Sequence, residues 1–217
     1  GALFLIAMVA SILGGSLIEA VIAVPDYLTA ISENETHVLI GVLLELMNAI
    51  AVLGIGVLMY PIFKRYNQTI ALGYLGFRII ETVFCTVIVI SPLSLLLLSR
   101  EFIQTGAADA SDYLTVGALS IAGRASVAGL LIPIFLSLGG LLLYTLLYQS
   151  RLRPRFVSVW GFIVAVLVLA WNLLETFGIY ISAGMVLALP IILNEIFLGF
   201  WLIIRGFNPA ATTVRPD

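Results

Sequence analysis

The chain has 217 residues, of which 62% are hydrophobic and only 10% charged, with a mean hydropathy of +1.18; an ordinary soluble domain carries about 25% charged residues, so a water-soluble globule is excluded. A formal net charge of −2 and the lack of any basic tract exclude nucleic acid as a partner. One cysteine, Cys85, and one histidine, His37, exclude an internal disulfide, a multi-histidine zinc site and a bis-histidine haem, so no metal or cofactor is expected.

Cut at their polar breaks, the apolar runs give six predicted spans at about 2–24, 38–63, 69–98, 116–148, 156–181 and 185–204. Each reaches the roughly 20 residues that a helix needs to cross a bilayer core. The first run lacks a basic leading region and starts at Gly1 rather than Met, so it reads as a span whose native start has been removed, not as a secretory leader. The third and fourth runs exceed the bilayer thickness and must tilt, break or protrude; Pro92 and Pro133 are the natural bends, since proline removes a backbone donor. Asn34-Glu35-Thr36 and Asn67-Gln68-Thr69 match the glycosylation pattern by chance.

The loops set the orientation. Lys64 and Arg65 follow the second span, Arg151, Arg153 and Arg155 the fourth, and Arg205 and Arg215 the sixth. Asp26, Glu33, Glu35, Asp109 and Asp112 occupy the alternate loops, with Arg100 and Glu101. Basic loops stay cytoplasmic, which predicts both termini on the cytoplasmic side of a six-span, all-α bundle. Gly14-Gly15, Gly54-x-Gly56, Gly73-x-x-Gly76 and Gly139-Gly140 read as packing seams. Trp160, Tyr60, Tyr66, Tyr144 and Tyr148 on the inner side, and Tyr27, Tyr113 and Tyr180 on the outer, read as interfacial belts.

The charged residues inside the spans carry the functional information. An Arg, Lys or Asp at a helix centre costs about 2.5–3.5 kcal/mol, so such residues face the bundle and find partners. Arg78 and Glu81 fall near mid-bilayer and share one helix face, with Cys85 one turn on as a core filler. Asn194 and Glu195 fall at a similar depth in the sixth span, and Glu45 and Asn48 share a face of the second. Glu19, Arg124, Asn172 and Glu175 fall in the outer third of their spans, and His37 stands at the outer mouth. The pattern predicts a polar cavity open outward and closed below by apolar packing, in which Arg78 meets Glu81, Glu45 or Glu195. With more acids than bases, a carboxylate left over must meet water or hold a proton.

Several stretches carry a family resemblance: Glu45-Leu-Met-Asn48, the run from Ala71 through Arg78 to Glu81, Arg153-Pro154-Arg155 leading to Ser158-Val-Trp160-Gly161, and Leu189-Pro190 to Glu195 before Trp201 and Gly206-Phe-Asn208-Pro209. Together they resemble the bacterial membrane proteins of domain-of-unknown-function family 4386, over essentially the whole chain. The resemblance implies a multi-pass protein of the bacterial cytoplasmic membrane with six helices, and marks Glu45, Asn48, Arg78, Glu81, Pro190 and Glu195 as its polar signature. It implies no activity.

The expected function is therefore a non-enzymatic membrane protein that binds or conducts a small molecule, lipid, ion or proton. Two alternatives stand beside it: an accessory or structural subunit of a membrane complex, and an intramembrane enzyme acting on lipids or quinones. Membrane lipids and a small-molecule or lipid ligand are the expected partners, with a second copy or a membrane-complex subunit as further candidates.

Overall fold

A computed structural model describes residues 1–106, 110–150, 152, 155–179 and 184–206, with the backbone alone at 110, 184–188 and 191. Asp109, Arg151, Arg153, Pro154, Tyr180, Asn208, Pro209 and Arg215 lie outside the described residues. The described residues fold as helices joined by short turns, as the apolar runs require: in hydrocarbon each backbone amide must bond within its own segment. The helices are α1 (Ala2–Ile22), α2 (Tyr27–Glu33), α3 (Glu35–Phe63), α4 (Gln68–Val87), α5 (Ile90–Gln104), α6 (Ala110–Ser126), α7 (Ile132–Ser150), α8 (Arg155–Thr176) and α9 (Gly184–Ile204). Among the described residues, five helical stretches are long and apolar enough to cross a bilayer: Ala2–Ile22, Glu35–Phe63, Gln68–Gln104, Ser111–Ser150 and Arg155–Thr176. The described side chains of α9 add a shorter apolar run, Ile192–Ile204.

The two over-long runs break where proline dictates. In the first, α4 passes into α5 through Ile88 and Val89, and Pro92 sits in the opening turn of α5. Proline has no N–H to give to the residue four before it, so the Ile88 carbonyl is released from the helical ladder. In the second, a π-helical turn, Val127–Leu131, joins α6 to α7 just ahead of Pro133. Asn67 caps α4, its Oδ1 accepting from Ile70 N at 3.0 Å. Asn34 likewise bonds its own helix, Nδ2 donating to the Ala30 carbonyl at 2.9 Å.

Packing joins the long helices into a ring: α1 lies on α3, α3 on α4, α4 on α7, α7 on α8, α8 on α9, and α9 returns to α1. Gly1 and Gly206 line one surface recess with Met59 and Ile62, so the start of α1, the end of α3 and the end of α9 share one end of the bundle. The short helices α2, α5 and α6 cluster at the other end. One apolar cluster, including Phe4, Ile55, Phe63, Tyr74, Leu146 and Leu198, fills the first end. A second, including Ile18, Leu28, Ile31, Val42, Val89 and Leu95, fills the α2 end.

Most of the predicted glycine seams are genuine contacts. A methyl on Gly14 would lie 2.9 Å from the Gly41 carbonyl oxygen, one on Gly56 2.9 Å from Arg78 Cβ, and one on Gly73 3.0 Å from Leu142. Gly15 and Gly76 meet nothing within 4 Å and are not part of a seam. Two predicted belt residues are in fact internal. Tyr144 is buried and donates to Asn194 Oδ1 at 2.9 Å, while Tyr27 is buried and donates to the Leu114 carbonyl at 2.9 Å. Their hydroxyls found partners inside the protein, which frees an aromatic ring from the headgroup layer.

The Tyr144 ring lies against Gly161, and its hydroxyl bonds Asn194. Gly161→Ala is expected to lower stability by about 1–3 kcal/mol through overpacking. Gly76→Ala, which enters open space, is expected to change it by no more than about 0.5 kcal/mol. Thermal unfolding of the two variants in detergent micelles measures the difference.

Candidate functional site

Arg78 and Glu81 are each only 3% exposed and face the interior from α4. Arg78 Nη1 donates to both Glu81 oxygens, at 2.9 and 3.2 Å, and Nε donates to Tyr74 Oη at 3.2 Å. The guanidinium also lies over the Tyr74 ring, 5.5 Å from its centroid. Tyr74 precedes Arg78 by one helical turn, Glu81 follows by nearly one, and the three form a single stripe of α4. Gly56 on α3 leaves the room that the Arg78 stem occupies.

A cavity of about 240 Å³ opens in front of this stripe. Its polar wall is formed by Arg78, Glu81, Asn48, Cys85, Ser11 and Glu195; the rest, including Phe4, Ile55 and Leu136, is apolar. Glu195 reaches it from α9 and interacts electrostatically with Arg78 and Glu81. No described residue hydrogen-bonds or ion-pairs with the Glu195 carboxylate. Asn48 Nδ2 points at Cys85 Sγ, 3.8 Å away.

A second ion-pair centre lies one level nearer the α2 end. Arg124, at the end of α6, forms a two-pronged pair with Glu45: Nη1 donates to Oε2 at 3.0 Å and Nη2 to Oε1. Nη1 also donates to the Ile88 carbonyl at 3.2 Å, the acceptor that Pro92 had released. Arg124 Nε reaches Glu19 Oε1 at 3.4 Å, and the Glu19 side chain is 60% exposed.

The structure thus brings together Glu45, Asn48, Arg78, Glu81, Glu195, Glu19 and Arg124 from the sequence reading. Of the three acids weighed as partners, Arg78 pairs with Glu81; Glu45 belongs to Arg124. Asn194 is fully buried but faces away from the cavity, accepting from Tyr144 and donating to the Val157 carbonyl at 3.3 Å, so it ties α9 to α7 and α8. Asn172 is buried too and bonds its own helix, at the Val168 carbonyl. Glu175 does not line this cavity. His37 is exposed and bonds Asn34 at 3.1 Å. The sequence reading missed Tyr74, Ser11 and the Ile88 carbonyl. Helical spacing from Arg78 signalled the first and Pro92 the last; Ser11, a small hydroxyl in an apolar run, gave no signal.

Each centre has one guanidinium and two carboxylates, set in a low-dielectric bundle. Such a group can attract a positive species or take up a proton. Among the described residues no three His, Cys, Asp or Glu side chains are placed to hold a metal ion.

A family profile described as Domain of unknown function (DUF4386) matches residues 1–206. No curated protein and no solved structure matches the chain.

The two kinds of ion pair in the molecule make a direct comparison. Glu45→Gln leaves Arg124 buried without its two-pronged partner and is expected to cost about 3–5 kcal/mol. The Arg100–Glu35 pair, whose side chains are 51% and 32% exposed, is screened by solvent, and Arg100→Gln is expected to cost far less. Equilibrium unfolding in mixed micelles gives both values, and a further Arg124→Met change in Glu45→Gln should recover much of the first loss.

Proposed function

From a chain that belongs to this family, whose description assigns no activity, we propose a six-crossing protein of the bacterial cytoplasmic membrane that binds or conducts a small molecule, lipid, ion or proton through its Arg/Glu cavity. The observation that carries this reading is the Glu195 carboxylate, which no described residue hydrogen-bonds or ion-pairs, facing a cavity of about 240 Å³ beside Arg78 and Glu81. Ion pairs that serve only to fix helix register need no open volume beside them. This cavity has room for several waters, each taking about 30 Å³ in the liquid.

Two arrangements support the six crossings and their direction. Gly1 and Gly206 lie at the same end of the bundle, which an even number of crossings produces and five would not. Lys64 follows α3, Arg155 opens α8 and Arg205 follows α9, all toward that end, which the positive-inside bias assigns to the cytoplasm. Glu19 and the acidic loops then face outward.

Cys85 supplies a reporter in place, since it is the single cysteine of the sequence and stands in the cavity wall. A small water-soluble thiol reagent, 2-aminoethyl methanethiosulfonate, is expected to modify Cys85 in the membrane-embedded protein, as read by intact mass. A maleimide carrying a polyethylene glycol chain is expected not to. Modification by the small reagent only after denaturation, with the native protein inert even through prolonged incubation at alkaline pH, would mean a dry, sealed core and would end the cavity reading.

A further inference from the structure

The two ion-pair centres stand at adjoining chambers. A smaller chamber of about 70 Å³, lined by Ser11, Glu45, Asn48, Cys85, Ile88 and Ile132, shares Ser11, Asn48, Cys85 and Ile132 with the larger one. The carboxylates therefore stand in sequence: Glu195 and Glu81 at the large chamber, Glu45 at the small one, and Glu19 on the exposed side of Arg124. From Glu81 to Ile88 the rise along the helix is about 10 Å, a gap that a few waters span.

We propose that this stack of chambers is a proton path, with Glu195 and Glu81 as its inner carboxyl station and Glu45 and Glu19 as its outer one. The proposal rests on the cavity reading above and narrows the conducted species. Size excludes an organic ligand from the passage, because the small chamber holds only a few waters. Charge excludes an anion, because each centre sets two carboxylates against one guanidinium. A metal cation is disfavoured by Arg78 and Arg124 in the same walls and by the lack of a three-ligand cluster among the described residues. A proton needs only one carboxyl oxygen at a time and water between stations.

The step is a simple relay. A proton leaves a carboxyl oxygen of the inner station for a water, crosses the waist beside Asn48 and Ser11, and is taken by Glu45. The inner carboxylate is thereby restored to its ionised form. Facing Glu195 are Arg78, Glu81 and Cys85 of α4, with Tyr74 behind Arg78; the cavity-lining residues of α1, α3 and α7 add no ionisable group. Facing Glu45 are Arg124 of α6, Glu19 of α1 and Cys85.

The test uses the full chain in liposomes loaded with the pH dye pyranine, with a valinomycin-driven potassium diffusion potential, negative inside. Wild-type protein is expected to acidify the lumen faster than protein-free liposomes do, whether or not sodium is present. Glu195→Gln is expected to reduce the rate to that of protein-free liposomes. Should that variant not fold, Asn48→Leu, which fills the waist and keeps every charge, is expected to cause the same loss. Wild-type flux no greater than the protein-free rate, or full flux in a folded Glu195→Gln protein, overturns the proposal. If flux is absent while Cys85 still reacts with the small thiol reagent, the cavity reading stands and the proton assignment falls; if Cys85 is also inert, both fall.

Discussion

A guanidinium cannot shed its charge, so an arginine inside a bilayer must be surrounded by acceptors or the helix carrying it will not stay there. Arg78 and Arg124 both meet this demand, and their partners account for much of the arrangement around them. Arg78 takes Glu81 and Tyr74 from its own helix. Arg124 takes Glu45 from α3, Glu19 from α1 and the carbonyl of Ile88. The second set draws four segments to one point, and it fixes where α6 meets the rest of the bundle.

The apolar residues play the complementary part. One cluster packs around the end that holds Gly1 and Phe63, the other around the end that holds α2, and the ionic layer lies between them. Lipid offers helices no hydrophobic reason to associate, so contact area and small residues must do so. Gly14 against Gly41 and Gly56 against Arg78 show how: each missing side chain brings a backbone close to its neighbour. The glycine at 56 serves the site directly, because it leaves the Arg78 stem its place.

How much of this could be read from the residues depended on whether the information was local. The helical character of the apolar runs and the shared Arg78–Glu81 face are local, and the structure shows both. Partnerships across the ring are not local. Arg124 and Glu45 lie 79 residues apart, and counting depth along each run placed both toward the outside without joining them. Helix faces were also hard to assign in such apolar runs, where nearly every side is hydrophobic. Asn172 and Asn194 therefore passed for cavity residues, whereas each spends its amide on a backbone carbonyl. The α2 helix was hidden inside a stretch read as loop, and Tyr144 looked interfacial because tyrosines often are.

The two arginine centres differ in when they can form. Glu81 lies on the same helix as Arg78, three positions on, so this pair can neutralise itself as soon as α4 is wound, before later segments leave the ribosome. Arg124 has no such companion and must find α1 and α3 already in place. Glu195 is made last of all, and the ring has no complete wall until α9 docks against α1. Biogenesis thus proceeds from a helix able to enter lipid alone, through one that depends on earlier arrivals, to the final segment that encloses the chamber.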